Sequence, residues 1–244
     1  MAIWVKIELW AKRVIVVAAT IAAVSFLLVL AMTIFSWYGA EPRVDIATVE
    51  TKCEQHRTGG LLENLKSTVE GHDSACFLRV LREVEGSSID RGMRASVDAY
   101  LAQQLSEPNG RPSLFKNDYV RLVALNIIIP AALRGDVSFN VKDAQTYLRK
   151  KSEDKNTEVR NQALVVLSYY RDDTDTAIFR KHAVAESDND VSHSMWALAE
   201  NCSPKAKEAL AWALSQERVK RYMQKYRGKE RITEYTTQRC PVVH

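Results

Sequence analysis

The apolar positions of this chain follow two different patterns. No charged residue lies between Arg13 and Glu41, and the 25 residues from Val14 to Tyr38 form one apolar run, VIVVAATIAAVSFLLVLAMTIFSWY. After Tyr38 the apolar residues recur at helical spacing between Gly, Pro, Asn and Asp, and no run alternates as a strand would. The pattern therefore predicts one membrane-length segment followed by an all-α body.

The apolar run is long enough to cross a bilayer, because a helix of this length spans the roughly 30 Å hydrocarbon core with some tilt. Trp4 and Trp10 lie before the run, while Trp37 and Tyr38 end it, where aromatic rings favour the headgroup level. A cleaved signal peptide is the alternative, but its apolar core is usually only about 7–15 residues. A cut after Ala40 would also place the bulky Tyr38 where a small residue is required. We expect an uncleaved transmembrane signal anchor in contact with the lipid bilayer.

The basic residues near this segment predict its orientation. Lys6, Lys12 and Arg13 lie in the tail formed by residues 1–13, whereas Arg43 follows the segment at a greater distance. Positive residues favour the cytoplasmic side. We therefore expect a single-pass protein of a cell inner membrane, with a short cytoplasmic tail and a periplasmic or otherwise extracytoplasmic body.

The helical spacing also predicts the organisation of the body. Pro108 and Pro112 flank Asn109-Gly110, and two prolines around such a turn cannot continue a helix. Residues 108–116 are therefore predicted to link an N-terminal helical subdomain (39–107) to the following helices (117–217), or to lie between two halves of one stack. The predicted helices are Val44–Arg57, Leu61–Glu70, His72–Glu85, Arg91–Ser106, Asp118–Arg134, Val141–Lys151, Thr157–Tyr170, Thr176–Glu186, Asp190–Asn201 and Pro204–Arg227.

Three segments of the second half carry the same apolar stripe at offsets 0, 4, 7, 8 and 11. Asp118, Thr157 and Asn189 each stand two residues before the first valine of a segment and are predicted to cap the three helices. The stripes are Val120, Ala124, Ile127, Ile128 and Ala131; Val159, Ala163, Val166, Leu167 and Tyr170; and Val191, Met195, Leu198, Ala199 and Cys202. The first valines of successive segments are 39 and 32 residues apart, which leaves room for a helix pair in each repeat.

Helix pairs at this period are typical of α-solenoids. The segments Asp118-Tyr-Val-Arg-Leu-Val-Ala-Leu and Thr157-Glu-Val-Arg-Asn-Gln-Ala-Leu resemble HEAT or armadillo repeats, and Pro130 lies where the first helix of such repeats often bends. The third segment departs from them, because Ser192 replaces the arginine of the other two. The resemblance covers roughly residues 117–216 and implies an α-solenoid; the alternative is an irregular helical bundle.

All four cysteines follow the apolar run. An even number of cysteines in an exported body is what a disulfide-forming compartment permits. Three pairings are open, and proximity along the chain favours Cys53 with Cys76 and Cys202 with Cys240. Cys202 also lies on an apolar stripe, where it could simply be a buried small side chain.

A metal site is an alternative for the first two cysteines. Cys53 and His56 are three residues apart, and His72 and Cys76 are four apart, so each pair can share one helix face. Two thiolates and two imidazoles form a set that zinc prefers. The sequence predicts no other cofactor, and zinc and a disulfide compete for the same sulfur atoms.

The sequence favours binding over catalysis. It contains no Gly-x-Ser-x-Gly elbow, no His-Glu-x-x-His pair, no glycine-rich phosphate loop and no dinucleotide-binding fingerprint. His182 lies in a charged stretch and His193 near a helix start, so both are interpreted as solvated surface residues. Catalytic residues are therefore not predicted.

The net charge of +4 is unevenly distributed. Residues 1–13 carry three basic residues and one acidic residue. Residues 39–204 carry 21 basic and 25 acidic residues, and residues 205–244 carry ten basic and four acidic residues. Residues 218–244 therefore form a basic arm, whose amphipathic helix could lie on anionic lipid, bind an acidic partner, or simply cover the end of the stack. Nucleic acid is not expected as a partner of an exported domain. The candidate binding face comprises Arg218, Arg221, Lys225 and Lys229.

Together these features predict a single-pass, membrane-anchored helical-repeat scaffold or binding subunit of a cell-envelope complex, with other membrane or envelope proteins as partners. One alternative is a zinc-binding module or enzyme that uses Cys53, His56, His72 and Cys76. The other is the inverted topology, in which a cytosolic body tethers its basic arm to anionic lipid.

Overall fold

Helices alone build the part of the chain that the computed structural model describes, residues 53–54, 59–86, 89–106, 112–226 and 232. These residues belong to one compact unit that spans residues 51–244. They contain no strand, which confirms the predicted all-α class. None of their helices is both long and apolar enough to cross a bilayer. The tail and the predicted transmembrane segment, residues 1–38, lie outside the described residues.

Ten α-helices follow one another along the described chain, with a short 3₁₀ turn at Ser113–Lys116 and another at Asp173–Asp175. Four of them have the predicted bounds, because polar residues and glycines mark both ends. The ten helices are α1 (Leu61–Glu70), α2 (Ser74–Gly86), α3 (Arg91–Ser106), α4 (Asp118–Arg134), α5 (Val141–Lys151), α6 (Thr157–Ser168), α7 (Thr176–Ala183), α8 (Asp188–Asn201), α9 (Pro204–Ser215) and α10 (Glu217–Tyr226). The four with the predicted bounds are α1, α3, α4 and α5.

The predicted single helix Pro204–Arg227 is wrong, because the chain breaks between α9 and α10. Gln216 is extended, with ψ 137°, and its side-chain amide donates to the carbonyl of Trp212. No glycine or proline marks this break in the sequence. The break allows Val219 and Met223 to enter the core.

The predicted caps of the three striped helices are also shifted. Asn117 accepts hydrogen bonds from the backbone N–H groups of Tyr119 and Val120, and Asn156 does the same for the first turn of α6. In α8 the cap is Ser187. Each cap residue has an extended backbone, which directs the side-chain oxygen of Asn117 and Asn156 at the second and third N–H groups of their helices and that of Ser187 at the third.

The striped helices α4, α6 and α8 form the centre of the packing. α6 packs between α4 and α8, and α5, α7 and α9 pack against this row. Of the fifteen stripe positions, all but Tyr170 and Cys202 are buried. α2 and α3 pack against α4, α10 packs against α8 and α9, and one apolar cluster runs from Leu65 to Ile232.

Candidate binding groove between α7 and α9

A groove of about 600 Å³ opens between α7, with the 3₁₀ turn before it, and α9. Its volume lies within the range of roughly 300–1,000 Å³ that is typical of ligand sites. Several of its side chains are exposed, so solvent reaches it. It is lined by Asp173, Thr174, Thr176, Ala177, Arg180, Lys205, Glu208, Ala209 and Trp212.

Carboxylates on the turn before α7 fix the position of that helix. Asp172 accepts a hydrogen bond from the backbone N–H of Thr174 at 2.8 Å, and buried Asp175 accepts one from Arg149 Nε at 2.5 Å. Gln145 donates to both carboxylates. The backbone and side chain of Thr174 hold the pKa of Asp172 at about 2, well below its usual 3.8. The side of the groove that α7 forms is therefore anchored to α5.

Arg180 and Trp212 connect the two sides of the groove. The guanidinium carbon of Arg180, on α7, lies 3.9 Å from the centre of the Trp212 ring, on α9. Such stacking of a cation on an aromatic face stabilises exposed pairs by roughly 0.5–1 kcal/mol. No acceptor among the described residues forms a hydrogen bond with the Arg180 guanidinium, so its N–H groups are available to a ligand.

Two polar atoms at the groove are buried without a hydrogen-bond partner in the part of the chain that the structure describes. They are Oγ1 of Thr176 and Oδ1 of Asp173. Thr176 is only 8% exposed, and it begins α7 without a side-chain cap from Asp175. Buried polar groups are usually hydrogen-bonded. The groove therefore offers both donors and acceptors, which suits the binding of a polar ligand.

The disulfide predicted between Cys53 and Cys76 is confirmed, with the two Cα atoms 5.2 Å apart and a sequence separation of 23. Cys202 is also disulfide-bonded. Its predicted partner, Cys240, lies outside the described residues.

The predicted zinc set does not form in this oxidised state. Cys53 and Cys76 use their sulfur atoms in the bond to each other, so neither is a thiolate ligand. Among the described residues, no group of three or more His, Cys, Asp or Glu side chains could hold a metal ion. His56 lies outside those residues, and His72 adopts a positive φ of 55° before α2 begins.

Two residues of the predicted basic face on α10 form contacts within the chain. Arg218 Nη2 lies 2.5 Å from Asp188 Oδ1, and Lys225 Nζ lies 3.0 Å from Asp188 Oδ2. Arg221 lines a small surface cavity beside them. Lys229 lies outside the described residues. Two of the four predicted binding residues thus hold α10 against the start of α8.

The interpretation of His182 as a surface residue is wrong. It is 6% exposed, because its side of α7 faces the core. Its Nε2 lies 3.7 Å from Glu153 Oε1 and has no hydrogen-bond partner within the described chain. Burial lowers the pKa of His182 below its usual 6.5. His193 is partly exposed, and its Nδ1 lies 2.8 Å from the carbonyl oxygen of Asn189.

The groove residues were not predicted from the sequence. Arg180 and Trp212 are separated by 32 positions, and neither belongs to a recognisable motif. One signal was present, since Trp212 is a large aromatic residue in a segment rich in exposed lysine and glutamate. Comparison of the chain with models of protein families, with curated proteins and with solved structures gave no match.

Proposed function

We propose that this chain is a single-pass, membrane-anchored scaffold or binding subunit of a cell-envelope complex, and that its helical body binds a partner protein outside the cytosol. The observation that carries the proposal is the groove between α7 and α9, where Arg180 stacks on Trp212 and two buried polar atoms have no hydrogen-bond partner among the described residues. Residues 14–38 would anchor the body to the bilayer, because they form an uncharged run of sufficient length.

The disulfide supports an extracytoplasmic body. Structural disulfides persist in oxidising compartments and are rare in the cytosol. The bond between Cys53 and Cys76 therefore favours the orientation that the basic tail predicts. The same bond weighs against the zinc alternative, since it occupies both sulfur atoms.

The packing of the second half supports a scaffold role. α4, α6 and α8 lie side by side with their stripes buried, and the intervening helices α5, α7 and α9 pack against them. This order is what stacked HEAT-like helix pairs would produce, and such stacks form extended binding surfaces. The inverted topology, with a lipid-binding arm, is less favoured, because Arg218 and Lys225 are paired with Asp188.

Site-specific photocrosslinking in the membranes of the native host tests the proposal. A photoreactive residue at Ala177, which is exposed in the groove, should give a discrete crosslinked product. The control position is Lys142, which is exposed on α5 and does not line the groove. Absence of a product at Ala177, or the same products at both positions, would contradict a partner site in the groove.

Thiol labelling tests the topology separately. A cysteine introduced in place of Lys142, which is exposed, should react with a membrane-impermeant thiol reagent in intact cells without prior reduction. Labelling only after permeabilisation would show that the body is cytosolic.

A further inference from the structure

Arg180 lines the groove with its guanidinium stacked on the ring of Trp212. Its guanidinium carbon lies 3.9 Å from the centre of the Trp212 ring, so the ring covers one face of the planar group. The N–H groups along the edge of a guanidinium match the two oxygens of a carboxylate. A side chain already held by stacking loses less conformational entropy when it binds a ligand. Arg180 is therefore well prepared to bind a carboxylate.

A second observation points to a ligand at the same place. Oγ1 of Thr176 is buried without a partner among the described residues, and Thr176 lines the groove one helical turn before Arg180. Thr176 is also the first residue of α7, whose preceding residue provides no side-chain cap. The N-terminus of a helix favours a negative charge, and a threonine hydroxyl can donate to one. Both features stand on the same side of the groove as Arg180.

The remaining charges distinguish between kinds of ligand. Lys205 adds a second positive charge to the lining, whereas Asp173 and Glu208 add two negative charges. A bare anion would gain little from a lining with no net charge. A peptide segment suits it better, because its backbone N–H groups can donate to Asp173 and Glu208 while an acidic side chain meets Arg180. Oδ1 of Asp173 is buried and has no hydrogen-bond partner in the described chain, so a donor of the segment would satisfy it.

We infer that the groove between α7 and α9 binds a peptide segment of a partner protein through an acidic side chain, with the carboxylate against the guanidinium of Arg180. This inference rests on the proposed function, because it names the chemistry of the partner. Trp212 orients Arg180, because the guanidinium stacks on its ring.

Fluorescence anisotropy with defined peptides tests the inference on the full chain in nanodiscs of phosphatidylcholine. The probe is a fluorescein-labelled, C-terminally amidated polyalanine peptide with one central glutamate, and the matched probe has glutamine instead. The glutamate peptide should bind saturably below about 1 mM and at least about tenfold more tightly than the glutamine peptide, because only the former carries a charge for Arg180.

Variants identify the residues responsible. Arg180→Gln should remove the preference for glutamate, and Arg180→Lys should retain only part of it, because an ammonium lacks the planar fork. Trp212→Leu should weaken binding of the glutamate peptide several-fold. Arg134→Gln is the matched control, because Arg134 is an exposed arginine on α4 and does not line the groove. Circular dichroism should show unchanged helix content for all variants.

The peptide experiment overturns the inference if the glutamate peptide does not bind saturably, if both peptides bind equally, or if Arg180→Gln binds the glutamate peptide unchanged. If Arg180→Gln instead weakens co-sedimentation with phosphatidylglycerol vesicles and leaves peptide binding unaltered, the groove binds lipid and the inference is wrong. A partner crosslinked at Ala177 with the same yield in Arg180→Gln would leave the scaffold proposal intact and overturn only the carboxylate contact.

Discussion

Arg160 and Asp190 join two of the central helices through a largely buried ion pair. Nη2 of Arg160, on α6, lies 2.7 Å from Oδ2 of Asp190, on α8, and the two side chains are only 14% and 7% exposed. The same guanidinium donates to the carbonyl of Asp154 at 2.7 Å. This arginine therefore connects α8 to the loop that precedes α6.

Removal of Arg160 should strongly destabilise the body. The change Arg160→Met leaves the Asp190 carboxylate buried without its cationic partner, which typically costs about 3 kcal/mol or more. Urea unfolding of the full chain in detergent, followed by circular dichroism, measures the loss. The control is Arg134→Met, because the pair between Arg134 and Asp136 is exposed and should contribute less than about 1 kcal/mol. Equal losses in the two variants would contradict this account.

The bond between Cys53 and Cys76 should stabilise the N-terminal part of the body. Closing a loop of this length restricts the unfolded chain and is worth about 3 kcal/mol. We expect Cys76→Ser to lower the free energy of unfolding by that amount under oxidising conditions. A reductant should lower the stability of the wild type more than that of the variant, because the variant has already lost this bond. An identical loss of stability on reduction in the wild type and in Cys76→Ser would contradict a stabilising role of this bond.

The buried imidazole of His182 should make stability depend on pH near neutrality. Because burial lowers its pKa below 6.5, the unfolded chain takes up a proton first as the pH falls. The stability that the neutral, buried imidazole contributes is therefore fully present above about pH 6.5, and it is lost as the pH falls through the pKa of His182 in the folded state. Glu153 and Asp190 oppose this shift, whereas Lys181 and Arg160 add to it.

The change His182→Gln should therefore reduce the difference in melting temperature between about pH 7.5 and pH 5.5. The matched change His193→Gln removes a partly exposed ring and should leave that difference nearly as large as in the wild type. A wild-type melting temperature that is the same at both pH values would refute the expected dependence.

Asp188 should control the attachment of α10. It accepts hydrogen bonds from Arg218, Lys225 and Tyr226, and these contacts hold its pKa well below the usual value. We expect Asp188→Ala to loosen α10 and to speed tryptic cleavage within Glu217–Tyr226, with little change in overall helix content. The control Asp136→Ala removes an exposed carboxylate that is paired with Arg134. Unchanged cleavage of Asp188→Ala would show that the buried Val219 and Met223 suffice to hold the helix.

Helical periodicity predicted the buried faces well, because burial depends on which side of a helix is apolar. Val120, Val159 and Val191 begin three stripes that the structure places in one core. The caps were less well predicted. Several polar residues stand together at each helix start, and only the backbone conformation decides which side chain reaches the free N–H groups. Asn117 reaches them, whereas Asp118 accepts hydrogen bonds from Tyr147 and Lys151.

The sequence by itself determined the helical class and the apolar stripes, and it favoured the pairing of Cys53 with Cys76, because periodicity and proximity along the chain are local properties. Only the tertiary structure decided that the chain breaks at Gln216, that His182 is buried and that Arg180 stacks on Trp212. The physical reason is that these features depend on contacts between helices that are distant in sequence. The spacing of residues along the chain does not predict those contacts.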